Sequence, residues 1–515
     1  MKPRELISIY KPFLKPYTKS AIKAIESEWI SNHGENVGLA VSKLQKIIDS
    51  KYIILMSNGT VATHCLFIAL KFKHPNVKTI YVPNNVYVAA YNTALMEFLN
   101  DDLEIIKIDP LTWNMCTDQE YLLSLKPNSC IFVVHNLGNI VNVDRINRIR
   151  PDIILIEDNC EGIFGKYNEI YSGTSNSVLC SSLSFYGNKT ITTGEGGAFL
   201  TQNSDVYKYI NKVYSQGMSS IKYVHDVHAY NYRMTNIQAG FLLDQLNDIS
   251  TILNNKQRIF NNYDTLFQNM IFNNKVNIQK SENNTCRANW IYPLRILNNK
   301  FSIQETNEFF LSHNVEIRPF FYPFCEHNHL KSLKCESENL QNSYLLNREI
   351  ILIPSSPNLS FEEQKYIAKV IEKFVLRNDL NMIMINQSNI NILDTFLKNE
   401  LSPHFRYYKN RGIEASKSHL FTMIIEYDQK YVGYGHIDKE ENKYWIGLCV
   451  LDKFHGLGIG RFIMENLITI AKVEKVQNLN LSVDSNNTIA IQLYKQMGFT
   501  IQSILNNKIF MVLII

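Results

Sequence analysis

The sequence predicts an α/β protein built from two consecutive modules, and three observations carry that expectation. A chain of 515 residues is too long for one hydrophobic core. Between about residues 50 and 200, short β-branched runs alternate with helical stretches, the pattern of a mostly parallel sheet covered by helices. After a polar stretch, "LRNDLN" at 376–381, a fresh strand–helix pattern begins and runs to the end.

Taken in order, the predicted strands of the first module are "YIILM", "TIYVP", "LEIIKID", "CIFVVH" and "DIILIED". Residues 235–270 read as a long helical region and 285–377 as a smaller α+β part. That part closes with "LSFEEQKYIAKVIEKFV", in which Ser360 is a good N-cap and Phe361, Tyr366, Ile367, Val370 and Ile371 share one helical face. The polar stretch places a domain boundary near residue 380, giving modules 1–377 and 381–515. In the second module "MIMINQSNINILDTFLKNEL" reads as a strand then a helix, and "IFMVLII" at the C-terminus as a buried strand.

Hydrophobic residues make up 45% and charged residues 19%, as in ordinary globular proteins. The net charge of +4 is small and forms no run, so neither nucleic acid nor an acidic membrane is expected as a partner. Nine cysteines lack CxxC spacing, no metal site is expected, and "MKPRELISIYKPF" lacks a signal peptide's apolar core. No apolar run approaches the roughly 20 residues that cross a bilayer. A reduced, cytoplasmic protein is the expectation.

Several polar signals of the first module fall where strands end, the place where open α/β sheets bind ligands. "MSNGTVATHCLFIAL" gives a turn, Ser57-Asn58-Gly59-Thr60, and then a helix whose Ala62, Leu66 and Ala69 face one way. Backbone N–H groups and the dipole at that helix start suit a phosphate. "IILIEDNCEG" ends a strand with Asp158, a carboxylate able to neutralise a protonated pyridine nitrogen. "LSFYGNK" supplies Ser184, a second phosphate donor, and Lys189 five residues on. Singly, a glycine turn is a cap, a strand-end Asp a loop residue and a lone Lys a solvated charge. In combination they are the set that pyridoxal 5′-phosphate (PLP) needs: an amine for the Schiff base, an acid for the ring nitrogen, and a phosphate cup.

The stretches "SEWISNHGE", "SNGT", "VPNNVYVAA", "IEDNCEG", "SFYGNKTITTGEGG", "HDVHAYNYRMTNIQAG" and "IPSSPNLS" resemble the DegT/DnrJ/EryC1/StrS sugar aminotransferases, in particular their GDP-perosamine synthase-like branch. The resemblance spans residues 1 to about 377 and implies the fold-type I aminotransferase architecture, a large mostly parallel sheet domain plus a small α+β domain. It implies that Lys189 carries the cofactor, that Asp158 pairs with the pyridine nitrogen, that Glu161 lies by the ring hydroxyl and that Tyr87 stacks on the ring. Gly59, Thr60 and Ser184 would bind the phosphate, and Asn231 of "YNYR" would reach the phosphate in a neighbouring subunit, so a homodimer is implied. A branch of the family that removes a sugar hydroxyl has histidine at the position of Lys189; lysine favours amination. "VVHNLGNIVNVD" lacks the proline of the usual "HLYGxPADMD" stretch, and Asn85 and Val86 differ from common choices, so these loops do not name the sugar.

In the second module, "KYWIGLCVLDKFHGLGIGRFIMENLITIAK" gives a strand, a glycine loop and an amphipathic helix. Gly456, Gly458 and Gly460 let backbone N–H groups converge on an anion at the helix start. "LNLSVDSNNTIAIQLYKQMGF" adds a strand, a helix presenting Asn487 and Tyr494, and Gly498-Phe499. The pair resembles the GNAT acyltransferases over about residues 381–515. That implies acetyl-CoA with its pyrophosphate on the loop from Gly456 to Arg461, Asn487 beside the cofactor, and Tyr494 as the acid for the leaving thiolate. His455 stands where Arg or Gln is usual, and Trp445 where many relatives place a glutamate. The general base is open between His436, His455 and a water.

A sugar aminotransferase makes a primary amine and a GNAT domain acylates one. The expectation is a bifunctional enzyme: a nucleotide-linked 4-keto-6-deoxy sugar is aminated from L-glutamate, then N-acetylated from acetyl-CoA, for surface glycan synthesis. The alternatives are a 3-keto sugar, or a GNAT domain that serves another amine or acyl group.

Overall fold

The computed structural model describes residues 5–333, 335–409, 411–441 and 443–515, which fall into two compact units, one up to Ala368 and one from Lys369 onward. In the first unit the predicted strands are found as β1 (Tyr52–Met56), β2 (Ile80–Pro83), β3 (Leu103–Ile106), β4 (Cys130–Val134) and β5 (Ile154–Asp158). Two more, β6 (Ser181–Ser184) and β7 (Gly197–Thr201), complete one seven-stranded sheet in the order β1-β7-β6-β5-β4-β2-β3. Only β7 runs against its neighbours β1 and β6; the pairs β2/β3, β2/β4, β4/β5 and β5/β6 are parallel. Every residue of β2, β4, β6 and β7 is buried, which is why these strands read as continuous apolar or small-residue runs rather than as an alternation.

Helix α1 (Gly59–Lys73) packs on β6 and β7 and buries its whole stretch from Ala62 to Leu70. Asn58 caps it, the side-chain oxygen accepting from Val61 N at 3.0 Å. Because β1, β4, β5 and β6 point the same way, the turns after Met56, Val134, Asp158 and Ser184 gather at one edge of the sheet.

The predicted 235–270 helix is two, α2 (Asn236–Asn247) and α3 (Ile249–Phe272), which break at Asp248. The break lets the Asp248 carboxylate accept from the Tyr17 hydroxyl at 2.9 Å. Strands β8 (Tyr292–Ile296) and β9 (Ile350–Ile353) pair antiparallel in a separate small sheet. Ser360 and Glu363 form the reciprocal cap of α4 (Phe361–Asp379), as the sequence predicted for Ser360. The polar stretch at 376–381 is not a break: α4 runs through it, and only the buried Leu380 separates the helix from the next strand. Buried Ile367, Ile371, Phe374 and Asn378 carry one helical face past the charged residues, so periodicity outweighed local polarity.

The second unit is a seven-stranded sheet of β10 (Asn381–Met384), β11 (His419–Tyr427), β12 (Lys430–Glu440), β13 (Lys443–Val450), β14 (Asn478–Asp484), β15 (Thr500–Leu505) and β16 (Lys508–Ile514). Its order is β10-β11-β12-β13-β14-β16-β15. Helix α5 (Ile390–Leu397) packs Leu393 and Phe396 against Ile424 and Tyr434 on one face. On the other face α6 (Ile459–Val473) and α7 (Thr488–Gln496) close the core around Ile463, Leu467 and Tyr494. The C-terminal strand predicted from "IFMVLII" is β16, with Ile509 and Met511 buried. Among the described residues no helix is long and apolar enough to cross a membrane.

Lys256 of α3 is 1% exposed, and its Nζ donates to the carbonyls of Trp290 (2.5 Å) and Ser355 (2.6 Å). It ties the long helix to the start of the small sheet. Burial without a carboxylate partner pulls its pKa down to about 7. Above that pH the unfolded chain, whose lysines titrate near 10.4, holds a proton that the folded chain lacks, so this group makes stability rise with pH. The expected slope is about 1.4 kcal/mol per pH unit between pH 7 and 9. Denaturant unfolding of wild-type and Lys256→Met protein at pH 7, 8 and 9 checks it: the variant should lose that component, and parallel curves would reject the assignment.

Candidate active site

At the sheet edge where the strands of the first unit end lies a cleft. The sequence-predicted residues Gly59, Thr60, Tyr87, Asp158, Glu161 and Lys189 all line it. Gly59 and Thr60 arrive on the first turn of α1. A Cβ at Gly59 would stand 2.7 Å from Ser184 Cβ and 2.8 Å from its Oγ, so only glycine lets the head of α1 close on the end of β6. Ser184 thus sits directly behind the head of the helix. Tyr87 keeps 63% of its surface exposed, which leaves a ring face free at the mouth.

Asp158 ends β5, and its Oδ1 accepts from Cys160 N at 2.9 Å, which turns the chain so that Glu161 faces the same space. Glu161 is buried: its Oε2 accepts from Leu137 N at 2.9 Å and its Oε1 lies 3.4 Å from Lys189 Nζ. Burial raises the Glu161 carboxyl above its ordinary range, and the facing lysine opposes that shift. Leu137 offers its N–H from a left-handed backbone, φ 59°, a conformation that costs a leucine energy and marks a spot held by its surroundings.

Lys189 lies in the turn between β6 and β7. Its Nζ stands 3.9 Å from the centroid of the Trp290 ring. The backbone there is held from two sides, by Trp290 Nε1 donating to Asn188 O (2.8 Å) and by the Tyr10 hydroxyl donating to Lys189 O (2.6 Å). Asn231 is not among the residues lining the cleft of its own chain; its Oδ1 accepts from Arg233 Nε at 2.9 Å.

In the second unit, β13 and β14 run parallel but pair only at Tyr444↔Leu479 and Trp445↔Asn480. Beyond them the strands diverge, and the rest of β13 has its ladder only with β12. The glycine loop follows β13. Gly456 and Gly458 take φ of 79° and 85°, with open space where a side chain would stand, and Gly458 begins α6. Gly460 lies inside the helix and lets it approach Leu493 of α7, where a Cβ would be 3.3 Å from the leucine. Arg461 donates to Gln496 Oε1 at 2.6 Å, and Asn487 caps α7 by accepting from Ala490 N at 3.2 Å. Tyr494 is buried beside the diverging strands, and burial pushes its phenol up to about 12, so it stays protonated at neutral pH.

The two histidines singled out in the sequence differ. His455 Nε2 donates to Val450 O at 2.9 Å in the loop. His436 is 1% exposed, stacks with His419 at 4.4 Å, and burial holds it well below the usual histidine range, so it is neutral. Beside it the Tyr407 hydroxyl donates to the buried Asp438 at 2.6 Å.

Residues 15–372 match the DegT/DnrJ/EryC1/StrS aminotransferase family, and residues 388–499 match the acetyltransferase (GNAT) family. The chain belongs to the DegT/DnrJ/EryC1/StrS aminotransferase family. A GNAT acetyltransferase domain follows in the same chain. The GDP-perosamine synthase of Escherichia coli O157:H7 is 30% identical over 72% of this chain and 98% of its own length. That of Vibrio cholerae is 28% identical over 72% and 99%. Among solved structures, E. coli GDP-4-keto-6-deoxy-D-mannose-3-dehydratase with bound hydrated PLP superposes with a TM-score of 0.63 at 22% identity, over 71% of this chain and all of that one. The Helicobacter pylori aminotransferase of pseudoaminic acid biosynthesis gives 0.64 at 19% identity, over 72% and 99%.

This member of the family is therefore an aminotransferase with an added acetyltransferase domain, and its family implies PLP. The cleft fits that group: an amine, an acid at a strand end and a helix N-terminus converge on it. Sequence reading missed Trp290, Tyr10 and the Leu137 N–H. No local motif announces them, because each reaches Lys189 or Glu161 from a distant part of the chain. The tight Gly59–Ser184 contact yields a direct test. Gly59→Ala should weaken PLP binding roughly tenfold or more by forcing α1 off β6, whereas Gly38→Ala, where a Cβ meets nothing within 4 Å, should not. Titration of PLP into cofactor-free protein, followed by its visible band, reads the difference.

Proposed function

We propose that the chain carries out two consecutive steps on one nucleotide-linked sugar. A 4-keto-6-deoxy hexose accepts an amino group from L-glutamate through PLP, and the new 4-amino group is then acetylated from acetyl-CoA, in the synthesis of a surface glycan. The modules would be 1–377 and 381–515. The observation that carries this reading is that an amine-making cleft around Lys189 shares a chain with an amine-acylating domain. Relatives named GDP-perosamine synthase, covered over nearly their whole length, support the 4-amino sugar.

In this reading PLP supplies an electron sink once its ring nitrogen is protonated, and Asp158 keeps it so. Lys189 binds the cofactor and, once released, moves the proton between Cα of the amino donor and the cofactor carbon. Glu161 lies by the ring hydroxyl, Tyr87 covers the ring, and Gly59, Thr60 and Ser184 hold the phosphate. Asn231 reaches the phosphate in a second copy of the chain, so the working form is a homodimer. In the second domain the diverging edge of β13 offers backbone groups to the amides of the acetyl-CoA arm. The loop at Gly456 and Gly458 receives the pyrophosphate, and Tyr494 gives a proton to the departing thiolate.

Coupling is tested by single-domain variants supplied with keto-sugar, L-glutamate and acetyl-CoA. Lys189→Ala should stop CoA release from the keto-sugar yet still acetylate the ready-made amino sugar. Tyr494→Phe should accumulate the amino sugar, with acetylation down roughly 10²–10⁴-fold. Wild-type protein that aminates well but never acetylates its product under saturating acetyl-CoA would end the consecutive-step reading. The shared site is tested by exchanging subunits between Lys189→Ala and Asn231→Ala proteins: mixed dimers should regain part of the amination activity, and no recovery after verified exchange counts against it.

A further inference from the structure

We propose that Trp290 is a positioning residue for Lys189, providing a surface that favours the charged form of the lysine once it has taken up a proton off the cofactor, and that Lys256 is the strut that fixes Trp290 in place. The inference rests on the reading of Lys189 as the proton carrier of the aminotransferase. It starts from a contact that the family motifs do not contain: the indole ring centroid lies 3.9 Å from Lys189 Nζ.

An ammonium over an indole face is drawn to the ring's electron density, and the attraction grows when water is excluded. Both conditions hold, since Trp290 is 6% exposed and the Lys189 side chain 12%. The contact differs in kind from the one with Glu161 Oε1 at 3.4 Å. A carboxylate also favours the charged amine, but it binds it through directed hydrogen bonds that fix its position. An indole face attracts positive charge without accepting the proton, so it favours the charged amine once a proton has been taken up and leaves the side chain free to swing.

The ring is held as a fixed part would be. Its Nε1 donates to Asn188 O at 2.8 Å, one residue before the lysine, and its own carbonyl accepts from Lys256 Nζ at 2.5 Å. Lys256 spends its other observed bond on Ser355 O at 2.6 Å and is itself 1% exposed. The Tyr10 hydroxyl on Lys189 O, at 2.6 Å, holds the lysine backbone from the other side. Lysine and indole therefore keep their register when the side chain moves. The ionisable groups around Lys189 Nζ are Glu161 and Asp158 in the cleft, Cys160, whose thiol burial pushes far up and keeps neutral, Tyr87 at the mouth and Tyr10 at the backbone. Of these, Glu161 is the one that bonds the amine.

The test reads the charge of Lys189 in the full-length chain freed of PLP with hydroxylamine. Acetic anhydride acylates only the uncharged amine, and peptide mass spectrometry gives the extent at Lys189 across pH. Greater access in a variant raises the rate at every pH, whereas loss of charge stabilisation moves the pH of half-maximal reaction. Trp290→Leu should move that pH down by about one unit, equal to a roughly tenfold faster reaction at a fixed pH below it. Trp290→Phe, which keeps a weaker ring face, should fall between. Lys256→Met should move it in the same direction. An unchanged midpoint in Trp290→Leu overturns the proposal, and if that variant does not fold, an unchanged midpoint in Trp290→Phe does so. Borohydride reduction of the wild-type holo-protein and peptide mapping decide separately whether Lys189 is the cofactor lysine.

Discussion

The first unit is organised around a charge pair in a nearly dry place, the Lys189 amine 3.4 Å from the buried Glu161 carboxylate. A buried carboxylate is tolerated only when its oxygens are satisfied. Here one oxygen faces the lysine and the other takes the Leu137 N–H at 2.9 Å. The second bond exists because the chain after β4 turns through a left-handed leucine. That strained turn needs support, and the support comes from buried amides. Asn114 Oδ1 accepts from Asn136 N at 2.9 Å, Asn114 Nδ2 donates to Asn139 O at 3.0 Å, and Asn136 Nδ2 donates to the carbonyls of Asn85 (2.9 Å) and Trp113 (3.0 Å). Beneath them His135 bridges Glu157 Oε1 (2.5 Å) and the Val141 N–H (3.1 Å), which fixes the imidazole with its proton toward the carboxylate. The asparagine richness of this segment is thus structural: short amides fix a loop that delivers one N–H.

The same chain of dependence explains the strand order. A carboxylate at the end of β5, a serine at the end of β6 and a glycine after β1 meet only because those three strands are parallel and their ends share an edge. A one-residue slip of β5 would turn Asp158 to the opposite face of the sheet, where Glu157 now meets His135. The adjacent acids are therefore not interchangeable: one belongs to the cleft and the other to the packing of the loop beneath.

How much of this was legible in the sequence follows from distance along the chain. The strands, the helix after Gly59 and the cleft residues Asp158, Glu161 and Lys189 were readable because each sits within a few residues of an apolar run that fixes its position. The Trp290 ring, the Tyr10 hydroxyl and the Lys256 strut were not, because they come from strand, terminus and helix segments whose approach is a tertiary event. Polarity also misled at 376–381, where buried Phe374 and Asn378 carry the helix on and the charged side chains lie on its other faces. In the second domain the motif was legible but individual duties were blurred. Gly460 and Asn487 serve helix packing and capping in the fold, so a shared motif can conserve geometry through residues that need not touch a ligand.

The two units surround their polar groups differently. In the first, the Lys189 amine lies between a buried carboxylate and an indole face, both of which attract positive charge. In the second, burial, with Cys449 adding to it, lifts the Tyr494 phenol to about 12 and keeps it protonated. The surrounding histidines follow the same logic: His419 is pulled down to about 4 and His436 lower than usual, so neither adds a positive charge to the sheet face on which they stack. A positively charged imidazole pair there would repel the Arg411 guanidinium beside it. With both neutral, Asp438 accepts from the Tyr407 and Ser418 hydroxyls at 2.6 and 3.1 Å and faces Arg411 Nη1 at 3.5 Å, a buried acid balanced by one guanidinium. The charge on that face of the second unit is therefore a balanced pair, to which neither imidazole adds.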